Sequence, residues 1–96
     1  MASSKQFRDF ILDQLQGLHF VTCKPMMGEF LLYFNGILFG GIYDDRFLIK
    51  KTHSNKGFSL AEGIPYESAK TMYMVENLDD VDYLNNLIKT TCEDLK

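Results

Sequence analysis

An Asn-Gly pair inside a run of aromatic and aliphatic residues constrains this chain more than any other feature. Residues 29–43 read EFLLYFNGILFGGIY, with Asn35-Gly36 near the centre of the run. A two-residue type I′ turn requires positive φ at both of its central positions, and Asn-Gly is a preferred pair for it. We therefore predict a β-hairpin with strands over residues 29–34 and 37–43.

The glycines of this run do not match a phosphate-binding loop. A P-loop has the pattern G-x-x-x-x-G-K-[ST], and a dinucleotide-binding loop has G-x-G-x-x-G at the start of a helix. Gly36, Gly40 and Gly41 fit neither spacing. The pattern therefore indicates a structural hairpin and not a nucleotide site.

The predicted turn also assigns residues to the two faces of the hairpin. It predicts the cross-strand pairs Phe34 with Ile37, Leu32 with Phe39, and Phe30 with Gly41. The face that we expect to pack beneath the helices carries Phe30, Leu32, Phe34, Ile37, Phe39 and Tyr43. The opposite face carries Leu31, Tyr33, Leu38, Gly40 and Ile42.

This second face is apolar, whereas the solvated face of an antiparallel sheet is normally polar. A contiguous apolar patch on a folded domain marks an interface. We therefore predict that these five residues form an interface with a second copy of the chain, in a homodimer, or with another protein. The competing explanation is that the C-terminal helix, residues 78–95, folds over this face within the same chain.

Hydrophobic periodicity predicts the other elements. Apolar residues at three- and four-residue steps indicate a helix over residues 5–18, with Ser3 or Ser4 as its N-cap. The remaining predicted elements are strands over 19–24, 46–52 and 71–76, a short helix over 54–61 that Ser54 caps, and a last helix after Asn77 or Asp79. The resulting order is α-β-β-β-β-α-β-α. It predicts one α+β domain over residues 1–96, with helices packed on an antiparallel sheet of about five strands in two layers.

Charge and composition limit the classes of partner. The net charge is −3, and phosphate neutralisation dominates nucleic-acid affinity, so we expect no tight direct binding to nucleic acid. The sequence has no apolar run of about 20 residues, so we expect no association with a membrane. The first ten residues lack a secretory signal, from which we expect a cytoplasmic protein.

The sequence predicts neither catalysis nor a metal or other cofactor. His19 and Cys23 lie close together, but His53 and Cys92 are distant from them in sequence, and a zinc site prefers short-spaced ligand pairs. No G-x-S-x-G motif surrounds a serine. We therefore expect a protein that is not an enzyme. The alternative is a small enzyme or ligand-binding domain with a pocket near Cys23 and Lys50.

A basic stretch interrupts the acidic background of the sequence. It comprises Arg46, Lys50, Lys51, His53 and Lys56. Lysines commonly protect an edge strand from pairing with another chain, and we favour that interpretation. An anion-binding or acidic-partner patch is the alternative.

Several motifs in one order resemble the N-terminal domain family of the TfoX/Sxy competence regulators. They are KPMMGEFLLYFNGILFGGIYDDRFLIK over residues 24–50, then GIPYE and TMYMVE. The family pattern runs roughly R-x-M-F-G-G, an Asn- or Asp-Gly hairpin, a buried Phe and D-x-R-x-Y-L-K. The matching positions are Met26, Gly28, Gly36, Phe39, Asp45, Arg46 and Lys50. The departures are Lys24 for Arg, Met27 for Phe, Glu29 for the second Gly, and Asn77 for a proline.

The resemblance implies a stand-alone, divergent member with a two-layer α+β fold similar to secretion chaperones. It also implies a tendency to dimerise and no catalytic activity. The expected function is that of a small cytoplasmic protein-interaction domain with a regulatory role. A chaperone-like dimer that binds a client segment is a further alternative.

Overall fold

The protein is an antiparallel sheet with two α-helices packed on it. The computed structural model describes residues 3–96. The elements in chain order are α1 (Lys5–Gln14), β1 (Val21–Met26), β2 (Glu29–Phe34), β3 (Ile37–Tyr43), β4 (Arg46–Ile49), a 3₁₀ helix (Ser54–Phe58), β5 (Ala61–Gly63), β6 (Met72–Val75) and α2 (Val81–Leu95). Within these residues the strand order is β1-β2-β3-β4-β6-β5. The predicted α+β class is confirmed, and the sheet gains a sixth strand because residues 61–63 pair with β6.

Two-residue turns connect the first four strands. The predicted Asn35-Gly36 turn has φ values of 52° and 79°, both positive as a type I′ turn requires. Met27-Gly28 and Asp44-Asp45 also have positive φ at both positions and close the hairpins on either side. The chain from β1 to β4 is therefore a meander of three consecutive hairpins.

A β-bulge in β3 makes part of the predicted register wrong. Phe34 pairs with Ile37 as predicted and Tyr33 pairs with Leu38 in the same register, but Leu32 pairs with Gly40 instead of Phe39. Phe39 is thus an extra residue of β3, and beyond it Phe30 faces Ile42 and Leu31 faces Gly41. An extra residue reverses the faces of the residues that follow it. Ile42 consequently lies in the core, whereas Tyr43 points to the opposite face.

The bulge coincides with a close approach between β3 and β4. A Cβ atom on Gly40 would lie 2.2 Å from the carbonyl oxygen of Leu48 and 2.9 Å from Cα of Ile49. Both atoms belong to backbone, which cannot rotate away as a side chain can. Glycine is therefore required at position 40 for steric reasons.

Both helices pack on the same face of the sheet, which we call the helix face. The core between the layers includes Ile11 and Leu15 of α1, Leu84 and Ile88 of α2, and Phe39, Ile42, Phe47 and Ile49 of the sheet. The alternative in which the C-terminal helix covers the other face is therefore wrong. Over residues 3–96, no helix has the length and apolar character needed to cross a membrane.

Several predicted boundaries are also wrong. Helix α1 begins at the predicted cap, since Ser4 Oγ accepts a hydrogen bond from Phe7 N at 3.1 Å, but it ends at Gln14 instead of residue 18. The expected helix over 54–61 is a 3₁₀ helix that stops where Ser59 adopts a φ of 55°. Asp80 caps α2 in place of Asn77 or Asp79, because its carboxylate accepts from Tyr83 N at 3.1 Å.

Candidate functional site

The sheet face opposite the helices, which we call the outer face, is partly covered by the connection between β5 and β6. Residues 64–71 form this connection, which we call the crossing segment. Tyr43 and Leu48 are buried, with exposures of 6% and 0%, although neither belongs to the core on the helix face. The chain therefore buries apolar side chains on both faces of the central strands.

Three contacts hold the crossing segment against the sheet. Arg46 Nη2 donates a hydrogen bond to the carbonyl oxygen of Ile64 at 2.8 Å. The Tyr66 ring packs against the Tyr43 ring, with 6.3 Å between centroids. At the far end, Lys51 Nζ donates to Thr71 Oγ1 at 2.6 Å. The segment is thus anchored at its start, its middle and its end.

A cleft of about 780 Å³ lies between the crossing segment and the sheet. We call it the outer cleft. Its lining combines apolar groups with three lysines, and comprises Leu38, Gly40, Tyr43, Lys50, Lys51, Pro65, Tyr66, Ala69, Lys70, Thr71 and Met72. The volume falls within the range of about 300–1,000 Å³ that is typical of small-ligand sites.

The lysines gather at one end of the outer cleft because β4 and β6 run antiparallel. Ile49 pairs with Tyr73, so the residues that follow β4 lie beside those that precede β6. Lys51 is held in place by Glu62 Oε1 at 2.7 Å and lies 5.4 Å from the centroid of the Tyr73 ring. Lys50 and Lys70 form no ion pair with any of residues 3–96.

Tyr43 lies at the other end of the outer cleft. Tyr43 pairs with Arg46, and Arg46 lies four residues before Lys50 along the chain. At the usual rise per strand residue, the two ends of the cleft are therefore about 13 Å apart. Burial raises the pKa of the Tyr43 hydroxyl, and the neighbouring Tyr66 raises it further. The lining of the cleft therefore has tyrosine rings at one end and lysines at the other.

The predicted interface residues do not all lie on the outer face. Leu31, Tyr33 and Leu38 lie there and are half-buried. Gly40 is buried against β4 and contributes to the floor of the outer cleft. Ile42 is fully buried in the core on the helix face, so its assignment to this surface is corrected. The bulge at Phe39 is the physical reason.

The structure does not bring Cys23 and Lys50 into one pocket. Lys50 lines the outer cleft, whereas Cys23 packs against the core on the helix face. Strands β1 and β4 are three positions apart in the sheet, which is about 14 Å at the usual strand spacing. Burial raises the pKa of the Cys23 thiol. A single pocket formed by Cys23 and Lys50 is therefore wrong, and of the two residues Lys50 alone lines the outer cleft.

The possible metal ligands are likewise dispersed. His19 lies in the turn before β1 and not on a strand face beside Cys23. Among residues 3–96, no group of three or more His, Cys, Asp or Glu side chains is arranged to hold a metal ion.

The basic stretch does not protect an edge strand. Strand β4 lies between β3 and β6, inside the sheet, so that interpretation is wrong. Arg46 instead binds backbone carbonyl groups, and Lys50 and Lys51 line the outer cleft. His53 and Lys56 are exposed at the 3₁₀ helix.

The family-motif residues have mostly structural positions. Met26 ends β1, Gly28 and Gly36 lie in turns with φ of 84° and 79°, and Phe39 is fully buried. Asp45 Oδ1 accepts a hydrogen bond from Ser4 N at 2.7 Å. Of the seven motif residues, only Lys50 lines the outer cleft.

A small polar cluster holds the turn at Asp44 and Asp45, where two residues other than glycine have positive φ. Glu29 accepts hydrogen bonds from Ser3 Oγ at 2.6 Å and from Asp44 N at 3.0 Å. Ser3 Oγ in turn accepts from Asp45 N at 3.0 Å. Glu29, which departs from the family pattern, therefore supports the strained turn.

Comparisons of the chain with protein-family models, with curated proteins and with solved structures found no match. The crossing segment, Tyr43 and Lys70 were not predicted as parts of a site. The one signal in the sequence for this site is that lysines occur both after β4 and before β6. Its meaning depends on the pairing of these two strands.

Proposed function

We propose that this chain is a small protein-interaction domain with a regulatory role and no reaction of its own. Its first partner is a second copy of the same chain, in a homodimer, and its partners are proteins and not nucleic acid. The observation that carries the proposal is the apolar strip on the outer face, formed by Leu31, Tyr33 and Leu38. The motifs that resemble TfoX/Sxy N-terminal domains support the regulatory role.

The strip is contiguous in the sheet. Tyr33 and Leu38 are directly opposite each other on β2 and β3, and Leu31 lies two residues along β2 on the same face. Both α-helices pack on the helix face, and the outer cleft includes no residue of β2. Lys24 lies over the Tyr33 ring at 5.6 Å, at the border of the strip.

A two-fold pairing of this surface is the simplest assembly. In a two-fold dimer each copy uses the same patch, so an apolar strip is complementary to itself. Pairing the strips would remove aliphatic and aromatic area from water, at roughly 25 cal/mol per Å². A domain of this size buries a modest fraction of its own surface, so such a gain matters for its stability.

Light scattering after size exclusion tests the proposal. We expect the wild-type chain to run as a dimer and Leu31→Glu to run as a folded monomer, because a carboxylate in the strip would be desolvated on pairing. Val81→Glu is the matched control. Val81 is 38% exposed at the start of α2, where an acidic residue is well tolerated.

Circular dichroism must show that both variants are folded. A wild-type chain that remains monomeric at millimolar concentration would contradict the homodimer. So would a Leu31→Glu variant that stays dimeric, or a Val81→Glu variant that dissociates equally.

A further inference from the structure

The outer cleft suggests a second binding property, at a surface that shares Leu38 with the apolar strip. We propose that it binds a small organic anion with an apolar body, such as an aromatic or medium-chain aliphatic carboxylate. The carboxylate lies between Lys50 and Lys70, and the apolar body extends along β3 toward Tyr43 and Tyr66.

Charge complementarity supports this class of ligand. Although the chain has a net charge of −3, the described lining of the outer cleft contains three lysines and neither Asp nor Glu. Lys51 already has a partner in Glu62, whereas Lys50 and Lys70 have no carboxylate partner among residues 3–96. Two cations at one end of a cleft attract an anion, and a ligand carboxylate would complete their ion pairs.

The apolar part of the lining explains why the proposed ligand has an apolar body. Leu38, Pro65, Ala69 and Met72 supply apolar side chains to the lining of the cleft. A ligand without an apolar body would leave this lining in water and gain only the contact with the lysines.

The size of the cleft fits a small molecule. Its volume of about 780 Å³ lies in the small-ligand range. The Tyr43–Tyr66 pair, with 6.3 Å between ring centroids, lies at the end opposite the lysines. The contact between Arg46 and the carbonyl of Ile64 fixes the crossing segment beside this pair.

A titration followed by two-dimensional amide NMR tests the proposal with 2-naphthoate and its uncharged match, 2-naphthamide. We expect naphthoate to bind saturably, one molecule per chain, and to shift the amide signals of Leu38, Lys50 and Ala69. Naphthamide should bind at least about tenfold more weakly, since it lacks the charged hydrogen bonds to lysine.

Three variants locate the site. Combining Lys50→Gln with Lys70→Gln should weaken naphthoate binding about tenfold and leave naphthamide binding unchanged. Ala69→Trp should reduce the binding of both compounds by filling the cleft. Lys89→Gln is the matched control, because Lys89 is an exposed lysine on α2, outside the outer cleft.

Some results would overturn the proposal. They are the absence of shifts at millimolar naphthoate, equal affinities for the two compounds, and an equal loss of binding in Lys89→Gln. The Leu31→Glu chain separates this proposal from the homodimer. Leu31 does not line the outer cleft, so that variant should still bind naphthoate.

Discussion

At the scale of single residues, Gly36 and Gly57 have equally open surroundings but different backbone conformations. A Cβ atom would meet nothing within 4 Å at either position. Gly36 has a φ of 79°, whereas Gly57 lies in the 3₁₀ helix and is not among the positive-φ residues. The two glycines therefore allow backbone strain to be measured without any steric clash.

We predict that Gly36→Ala and Gly57→Ala change stability in opposite directions. The left-handed conformation costs an alanine about 1–2 kcal/mol, partly offset by the lower entropy of the unfolded chain, so Gly36→Ala should lower the free energy of unfolding by about 1 kcal/mol. Gly57→Ala should raise it by about 0.5 kcal/mol. Urea denaturation measures both values. Equal effects in the two variants would show that the turn at Asn35-Gly36 is not strained as described.

At the scale of the elements, one buried side chain connects β4, the 3₁₀ helix and α2. Asn55 is fully buried. Its Nδ2 donates to the carbonyl oxygen of Lys50 at 2.8 Å and to Thr91 Oγ1 at 2.9 Å. Its Oδ1 accepts from Thr52 N at 2.9 Å. The amide thus satisfies polar groups on the segment that follows β4 and on α2, which is 36 residues away in sequence.

We predict that Asn55→Ala lowers the free energy of unfolding by about 2–3 kcal/mol. The substitution leaves the Lys50 carbonyl, the Thr52 amide and the Thr91 hydroxyl without this partner, and each unsatisfied buried group is costly. Asn86→Ala, at an exposed position of α2, is the control and should change stability by less than about 0.5 kcal/mol. Urea denaturation of the three proteins provides the comparison. A loss confined to Asn86→Ala, or a loss in neither variant, would contradict the role of Asn55 in joining these elements.

At the scale of the whole molecule, two cysteine thiols and one tyrosine hydroxyl on the two faces of the sheet make stability depend on alkaline pH. Burial raises the pKa of Cys92 from its ordinary value of 9.0 to about 11. Burial also raises the pKa of Cys23 and of Tyr43. The folded chain therefore holds these protons more tightly than the unfolded chain. The stability they contribute is complete below about pH 9 and is lost as the pH rises through the folded values.

We predict that the free energy of unfolding falls between pH 9 and pH 11, and that Cys92→Ala reduces this fall. At pH 8 the variant should be less stable than the wild type, because a small cavity replaces the sulfur. Its further loss at higher pH should nevertheless be smaller, since one titrating group is gone. Urea titrations at fixed pH values test this. Parallel pH curves for the two proteins would show that Cys92 does not contribute to the alkaline loss.

The sequence by itself determined the features that depend on a few adjacent residues. The Asn35-Gly36 turn and strands β2 and β3 have the predicted bounds, because positive φ is a local preference of these two residues. Ser4 caps α1 for a similarly local reason. Helical periodicity also predicted both α-helices. The α+β class and the outer-face positions of Leu31, Tyr33 and Leu38 follow from the same signals.

Only the tertiary structure decided the register beyond Phe39 and the composition of the outer cleft. The bulge accompanies the close approach of β4 to Gly40, and it moves Ile42 into the core and Tyr43 to the outer face. Lys50 and Lys70 line the same cleft because β4 and β6 pair although these strands are distant in sequence. The pairing of distant strands depends on the packing of the whole sheet, and no short stretch of sequence encodes it.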